Sequence, residues 1–531
     1  MKFYVLKPGE PLSVAGLSKE SWSNIVILKG INWNDYSFYT SFEVTIFDEY
    51  SNKSYIGKVR IGFRGQTHAQ KIFDILPAQF SELGSEYFSL GTTHKYYESI
   101  TDYESHMDLL RRINDIALNS NLIEKFSNED VLNHSLFRDV SATTVREEYS
   151  RILQGLPLLT DFKFGFQCIG DRKESTYNLE FEVDKYSMPP SNVHAVIGKN
   201  GVGKTTLFNR MVDAALETGI LGAGSFYDIE NKSLFGEQYD QLKAGYFSRV
   251  MSVSFSAFDT FQHPEDNDHP AKGPCYSYLG LIDRSNNRLK NREEIYMEFI
   301  ISLGVIFSDS SSLKVWRETV LNLIDTNNFT GLDFEVFVEG FEFAGGLSEY
   351  IDSDTDDFEK AFLEHVRPLL ELLSSGHFIV LRIIVELLRR VETKTLVLID
   401  EPETHLHPPL LSALIRTIST ILHRRNGVAI IATHSPVVLQ EVPKSCVWKI
   451  FRTGEAFDVS RPKIETYGEN VGTLTEEVFS LDINKSGFIV ELEKAVEQGG
   501  SFDEILNSFN RQLGTEGRFI LKALIANRDE K

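Results

Sequence analysis

Hydrophobic and polar residues alternate over Ser37–Phe47 and again over Tyr55–Phe63, separated by the turn-forming run Asp48-Glu49-Tyr50-Ser51-Asn52. A period of two puts one face of each segment on a core, so the pair is expected as a β-hairpin. Over Met107–Phe126 and Val145–Leu156 the apolar spacing changes to three and four, the period of a helix. Together these segments predict a separate α+β domain over residues 1–157. A further strand pair, Asp161–Phe166 and Tyr177–Val183, leads to three short continuous apolar runs, Ala195–Ile197, Thr395–Ile399 and Gly427–Thr433. Runs of this length bounded by turn residues fit strands buried on both faces. About 170 residues separate the first run's glycine-rich tail from the next recognisable motif, far more than one strand–helix unit needs, so an inserted subdomain is expected. Its helical candidates are Glu293–Phe307, Ser312–Asp325 and Phe358–Leu373. None sustains the heptads of an extended coiled-coil arm. The predicted layout is therefore an accessory domain at 1–157, an α/β core with a mixed sheet at 158–450 carrying a helical insertion at about 265–370, and a helical extension at 451–531.

Composition narrows the class. The 531 residues are 42% hydrophobic and 12% aromatic, as in a folded globular protein, and no apolar run approaches a membrane span. The longest, Phe299–Phe307, contains Ser302 and Gly304. The opening Met1-Lys2-Phe3-Tyr4-Val5-Leu6-Lys7-Pro8 is too short in apolar residues for a signal peptide, and Cys168, Cys275 and Cys446 lack metal-ligand spacing. A cytoplasmic protein with three small buried thiols and no membrane partner is expected. The net charge of −22 argues against a broad surface that coats nucleic acid. The basic runs Arg284–Arg292 and His423–Asn426 read as solvated loops, and the acidic run Asp352–Glu359 as an exposed loop before a helix.

The candidate chemistry begins at Gly198-Lys199-Asn200-Gly201-Val202-Gly203-Lys204-Thr205, which fits the phosphate-binding loop pattern between a strand-like and a helix-like run. Glycines let successive backbone N–H groups turn inward around a phosphate, Lys204 supplies charge, and Thr205 a hydroxyl for Mg²⁺. Gly198, Asn200, Gly201, Gly203, Lys204, Thr205 and Thr206 are the expected contacts to ATP. Downstream, the apolar run ending in Asp400-Glu401-Pro402 supplies the two carboxylates such sites use: Asp400 for Mg²⁺ with Thr205, Glu401 to polarise the attacking water. His434, at the end of the third apolar run, is placed to meet the γ-phosphate. Ser374-Ser375-Gly376-His377 opens the helix-like run Phe378–Arg390; a Ser-Gly turn at a helix start offers free N–H groups to an anion.

In this order the motifs resemble the ABC-type ATPases, specifically their SMC-like, RecF-like and OLD-like branch, in which a motif like Asp400-Glu401-Pro402-Glu403-Thr404-His405-Leu406-His407-Pro408 is typical. The resemblance implies an ABC-type P-loop ATPase head that works as a homodimer or higher even-numbered oligomer. Ser374 and Gly376 would reach the γ-phosphate in the other copy, and His405 and its neighbours would form a dimer-contacting loop. Ser375 and His377 depart from the transporter signature. The lid glutamine is hard to place: Val253–Asp259 looks like the corresponding strand end and Gln262 is its candidate.

A narrower resemblance comes from Thr466–Leu481, Lys485-Ser486-Gly487-Phe488 and Phe255–Asp259, which are similar to the PtuA-type ATPases of Septu and retron-linked anti-phage systems. It implies an HNH nuclease partner of the PtuB kind and, in the retron case, a reverse transcriptase with its msDNA. Residues 437–531 contain no Asp-x-Asp pair and are too few for a Toprim domain, so the chain itself is not expected to be a nuclease. The competing expectations are a nucleotide-gated scaffold with little turnover and a RecF- or OLD-like DNA-repair ATPase.

Overall fold

The computed structural model describes residues 1–11, 22–35, 37–101, 106–168, 176–216, 224–232, 239–243, 245–256, 261, 263–269, 274–284, 286, 288–324, 328–329, 331–352, 355–453, 456–483 and 487–529. The chain divides into two units, Met1–Thr160 with Arg424–Asn426, and Asp161–His423 with Gly427–Lys531.

In the first unit β1 (Lys2–Leu6), β2 (Ile25–Gly30), β3 (Ser41–Phe47), β4 (Lys53–Phe63), β5 (Gln79–Phe80) and β6 (Tyr87–Gly91) make one sheet in the order β5-β1-β2-β3-β4-β6. All neighbours are antiparallel except β1 and β2. The expected hairpin is β3–β4. Its turn closes because the Asp48 carboxylate accepts from the N–H groups of Tyr50 and Asn52 and from the Asn52 amide, each at 2.8 Å. The single helix expected over Met107–Phe126 is instead two, Met107–Arg112 and Asn121–Lys125. Asp115 makes the break. Only 1% exposed, it accepts from the backbone N–H groups of Ala117 (2.9 Å) and Leu118 (3.3 Å) and from the Tyr97 hydroxyl (3.2 Å), while Asn114 before it turns left-handed (φ 51°). Burial pushes the Asp115 carboxyl up to about 7 against those hydrogen bonds.

The second unit contains β7 (Phe162–Cys168), β8 (Tyr177–Val183), β9 (Val193–Ile197), β10 (Ser225–Lys232), β11 (Tyr239–Gln241), β12 (Arg249–Ser254), β13 (Cys275–Gly280), the short pair β14 (Ile282–Asp283) and β15 (Arg288–Leu289), β16 (Thr395–Asp400), β17 (Val428–Thr433), β18 (Val447–Thr453) and β19 (Ala456–Ser460). An antiparallel sheet runs β11-β10-β7-β8, and a mixed sheet runs β13-β12-β16-β17-β9-β18-β19, parallel until β19 turns back along β18. The three apolar runs are β16, β17 and β9, side by side and buried except at Asp400. Their alternate residues face different layers. Ala195, Ile197, Val397, Ile399, Ala429 and Ile431 pack on the inserted and later helices. Val196, Leu396, Leu398, Val428 and Ile430 pack on the helix Lys204–Ala215 and the aromatic antiparallel sheet. The result is an α/β core, a mixed sheet covered on both faces.

The structure redraws two expected segments. The stretch expected as helical from about 265 includes β13: Cys275–Gly280, buried throughout, pairs residue for residue with β12 as the sheet's edge strand. Helices start only at Arg292, where Asn291 and Glu294 form a capping box. They are Arg292–Phe307, Ser310–Ile324, Glu335–Phe343, Gly346–Asp352 and Thr355–Leu372. The acidic run expected as a loop therefore holds a helix end and the first turns of the next helix; Asp354 lies outside the described residues. At the other end, the region expected as helical from 451 begins with the end of β18 and with β19, before the helices Val471–Ile483, Gly487–Glu497, Phe502–Ser508 and Thr515–Asp529. All three cysteines are buried free thiols. Among the described residues no single helix is long and apolar enough to cross a membrane; the bent pair Arg292–Phe307 and Ser310–Ile324, turned by 117°, lies largely in the core.

Candidate functional site

The phosphate-loop residues follow β9, which lies between β17 and β18 in the mixed sheet, on the carboxyl edge where parallel strands present their sites. Gly198 donates its N–H to the Thr433 carbonyl (3.3 Å), and a Cβ there would lie 2.6 Å from the Ile450 carbonyl, so only glycine fits between β17 and β18. Gly201 (φ 80°) and Gly203 (φ 100°) take the left-handed conformation that L side chains avoid. A Cβ on Gly201 would meet nothing within 4 Å, so the loop is open on that side. The helix Lys204–Ala215 starts directly after Gly203 without a side-chain cap, which leaves its first N–H groups for an anion. Lys204 is 4% exposed and its Nζ donates to the Gly198 (2.9 Å) and Lys199 (3.1 Å) carbonyls, holding the ammonium under the loop.

Both carboxylates of the downstream motif reach this loop. Thr205 Oγ1 donates to Asp400 Oδ2 at 2.6 Å, which places a hydroxyl and a carboxylate oxygen side by side, the hard oxygen donors that magnesium takes. Glu401 Oε1 lies 3.5 Å from Lys204 Nζ. The Glu401 backbone is left-handed (φ 45°), a sparsely populated conformation for a bulky residue and one that commonly marks functional sites. It is held there by its N–H donating to the Ala432 carbonyl (2.9 Å). Open loop, helix start, buried lysine and paired oxygens together fit a nucleoside triphosphate with Mg²⁺.

His434 follows β17, 41% exposed, with Nδ1 3.6 Å from Glu401 Oε1 and 3.2 Å from Glu403 Oε1. Glu403 is the residue the motif reading left without a role. It sits on the short helical turn Pro402–His405 with its carboxylate folded inward, accepting from Thr433 Oγ1 and the His434 N–H, both at 2.6 Å. The available signal was its place in the motif, two residues after Glu401.

The Ser374 turn meets the Pro402–His405 turn of the motif. Ser374 caps the helix Ser375–Arg390, accepting from the His377 N–H (3.3 Å), and its Oγ lies 2.7 Å from His377 Nδ1. His377, the departure from the transporter pattern, bridges onward to the Asn328 carbonyl (2.8 Å), so it serves as a brace of this helix start. Gly376 lies against the motif's turn: a Cβ would come within 2.8 Å of the His405 carbonyl. Gln262 and residues 257–260 lie outside the described residues. The Thr466–Leu481 stretch packs on the helix that follows His434: Gly468 N–H donates to the Gln440 carbonyl (2.9 Å), Thr466 Oγ1 to the Val442 carbonyl (2.6 Å), and Leu474 and Val478 join Val437–Leu439 in the core.

Protein ea59 of Escherichia phage lambda is 42% identical to this chain over 515 residues, 96% of this chain and 96% of that protein. The chain belongs to the ea59 family. Within this ea59-family chain, residues 330–440 match the AAA_21 model, described as "AAA domain, putative AbiEii toxin, Type IV TA system". That match takes in the Ser374 turn, the Asp400–Glu401 motif and His434, and the phosphate loop lies upstream of it. Among solved structures, UvrA2 from Deinococcus radiodurans is 14% identical, with 60% of this chain and 40% of that chain covered at a TM-score of 0.30. A nucleotide-free ATP-binding cassette from an ABC transporter is 15% identical over 62% of this chain and 98% of that one, at 0.28. The sheet order and the phosphate loop are those of an α/β P-loop fold, and residues 330–440 carry the match to an AAA domain.

Proposed function

We propose that the chain is an ATP-hydrolysing ATPase whose site is completed by a second copy. The observation that carries this is the meeting of Thr205 with Asp400 and of Lys204 with Glu401, from motifs almost 200 residues apart. Lys204 and the backbone of Gly198–Thr206, Asn200 included, bind the phosphates; Thr205 and Asp400 hold magnesium, which when bound neutralises charge on the phosphate oxygens. Glu401 orients the attacking water and accepts its proton. His434 contacts the γ-phosphate side of the site. Ser374 and Gly376 act on the nucleotide held by the partner copy, since the Ser374 side chain caps only the His377 N–H of that helix start and is itself exposed. Glu401→Gln is expected to bind ATP and to lower kcat by about 10²–10⁴-fold, the usual range for a general base. Turnover equal to wild type in that variant removes Glu401 from this role.

The finer reading is that ATP closure controls a partner HNH nuclease of an anti-phage system, with a retron reverse transcriptase and msDNA as a further partner. Two observations support it. The Thr466–Leu481 stretch is similar to PtuA-type ATPases, and it packs on the helix after His434, so movement of the histidine has a direct route to it. Because the ea59 relative is itself a phage protein, the partner must be tested directly. Co-expression with a neighbouring HNH protein should give a stable complex, and purification of the two as separate species sinks the nuclease reading.

A further inference from the structure

We infer that Ser254 is a third oxygen ligand of the magnesium that Thr205 and Asp400 hold; the inference rests on the ATPase reading above. Ser254 is the last residue of β12 and stands in register with Asp400, the last residue of β16. Neighbouring strands lie about 4.8 Å apart, and residues paired in register point to the same face. Which face that is follows from the packing. Thr205, at the start of the helix Lys204–Ala215, donates to Asp400, and Leu207, Phe208 and Met211 of that helix pack with Val250 on one side of the sheet. Counting by two from Val250 puts Ser252 and then Ser254 on that side, with Asp400 and Thr205.

The Ser254 hydroxyl is buried there without a partner. The residue is 4% exposed, and its Oγ makes no hydrogen bond among the described residues. Its other neighbour in the sheet is Gly280, which has no side chain, and the Tyr278 hydroxyl that lies over Gly280 does not bond to it. A buried hydroxyl left unpaired costs stability, and alanine would fill the same space without that cost. Thr205 Oγ1 and Asp400 Oδ2 are two hard oxygens of the kind magnesium takes, and Ser254 Oγ, beside Asp400, is a third. The phosphate-loop helix, β16 and β12 then give one ligand each.

The test compares the affinity for a non-hydrolysable ATP analogue, by calorimetry, in EDTA and in magnesium, for wild type, Ser254→Ala and Ser252→Ala. The ratio of the two affinities is the gain from the metal. Ser254→Ala is expected to lose about tenfold of that gain, the usual scale for a group that supports a metal site, with affinity in EDTA unchanged. Without metal it should melt no lower than wild type, because no hydrogen bond is given up. Ser252→Ala, on the same face but opposite Leu398, should keep the full gain. A full gain in Ser254→Ala overturns the inference whatever its melting temperature, as does an equal loss in Ser252→Ala or a wild type whose binding magnesium does not strengthen. Should Ser254→Ala fail to fold, Ser254→Cys keeps nearly the same volume and offers a soft sulfur. It should show the same loss with magnesium and a larger gain than wild type with cadmium; gains equal to wild type with both metals refute the ligand role. A wild-type chain that binds the analogue under neither condition refutes the ATPase reading itself, and with it this inference.

Discussion

Acidification from pH 7.5 to pH 5 is expected to weaken the second unit chiefly through one side chain, His194. It sits on β9, the strand that delivers the phosphate loop, fully buried with the Phe181 ring at 5.2 Å in an edge contact. Neither ring nitrogen has a hydrogen-bond partner among the described residues. Burial, with a smaller contribution from the Arg461 charge, pushes the imidazole down from 6.5 to about 3. In the unfolded chain the ring takes up a proton near 6.5, whereas in the folded chain it does so only near 3. The unfolded state therefore binds more protons in that window, and stability falls as pH falls. Linkage gives a loss of about 2 kcal/mol at pH 5 and about 3 kcal/mol at pH 4. Urea unfolding at pH 7.5 and pH 5, followed by a common-pH hydrogen-exchange pulse read at the β9 peptide, measures it. His194→Phe keeps an aromatic ring and removes both nitrogens, so the difference in pH response between wild type and variant isolates this group. A variant that loses as much stability as wild type between the two pH values refutes the reasoning.

Asp115 should give the first unit the opposite dependence. Its folded value of about 7 lies above the ordinary 3.8, so its contribution is full below 3.8 and is lost as pH rises through 7; about 2–3 kcal/mol should disappear between pH 5 and pH 8. Asp115→Asn, which can still accept from Ala117 and Leu118, should flatten that loss in the exchange of the β6 peptide, and an unchanged slope counts against it. Gly376→Ala is expected to abolish most ATP hydrolysis with ATP affinity kept, because the new Cβ would lie 2.8 Å from the His405 carbonyl and push the helix start off the turn. Normal turnover in that variant would show that the approach is not needed.

The parts of the site that were legible in the sequence are those whose chemistry is local. Left-handed glycines at 201 and 203, a lysine beneath them and a buried strand ending in Asp400-Glu401 each announce themselves within a few residues. Glu403 was visible as a letter in a motif but not as a part of the site, because its role exists only once the Pro402–His405 turn folds back on β17. The same non-local pairing hid β13: Cys275–Gly280 is a strand because β12 lies beside it, and nothing within those six residues separates that from a connecting segment. The break in the helix expected over Met107–Phe126 was hidden for a different reason. The apolar period continues through it, and one buried aspartate overrides the period by capping two N–H groups.

The central claim, that each ATP site is made by two copies, is tested most directly by mixing two inactive variants. Lys204→Ala removes the phosphate loop's charge and leaves the Ser374 turn intact; Ser374→Arg blocks that turn and leaves the loop intact. Each alone should hydrolyse ATP poorly. A mixture should regain activity, because a mixed dimer pairs the sound loop of one variant with the sound turn of the other and so contains one complete site. Mixed dimers that form, by mass, and remain as inactive as their parents would contradict the account.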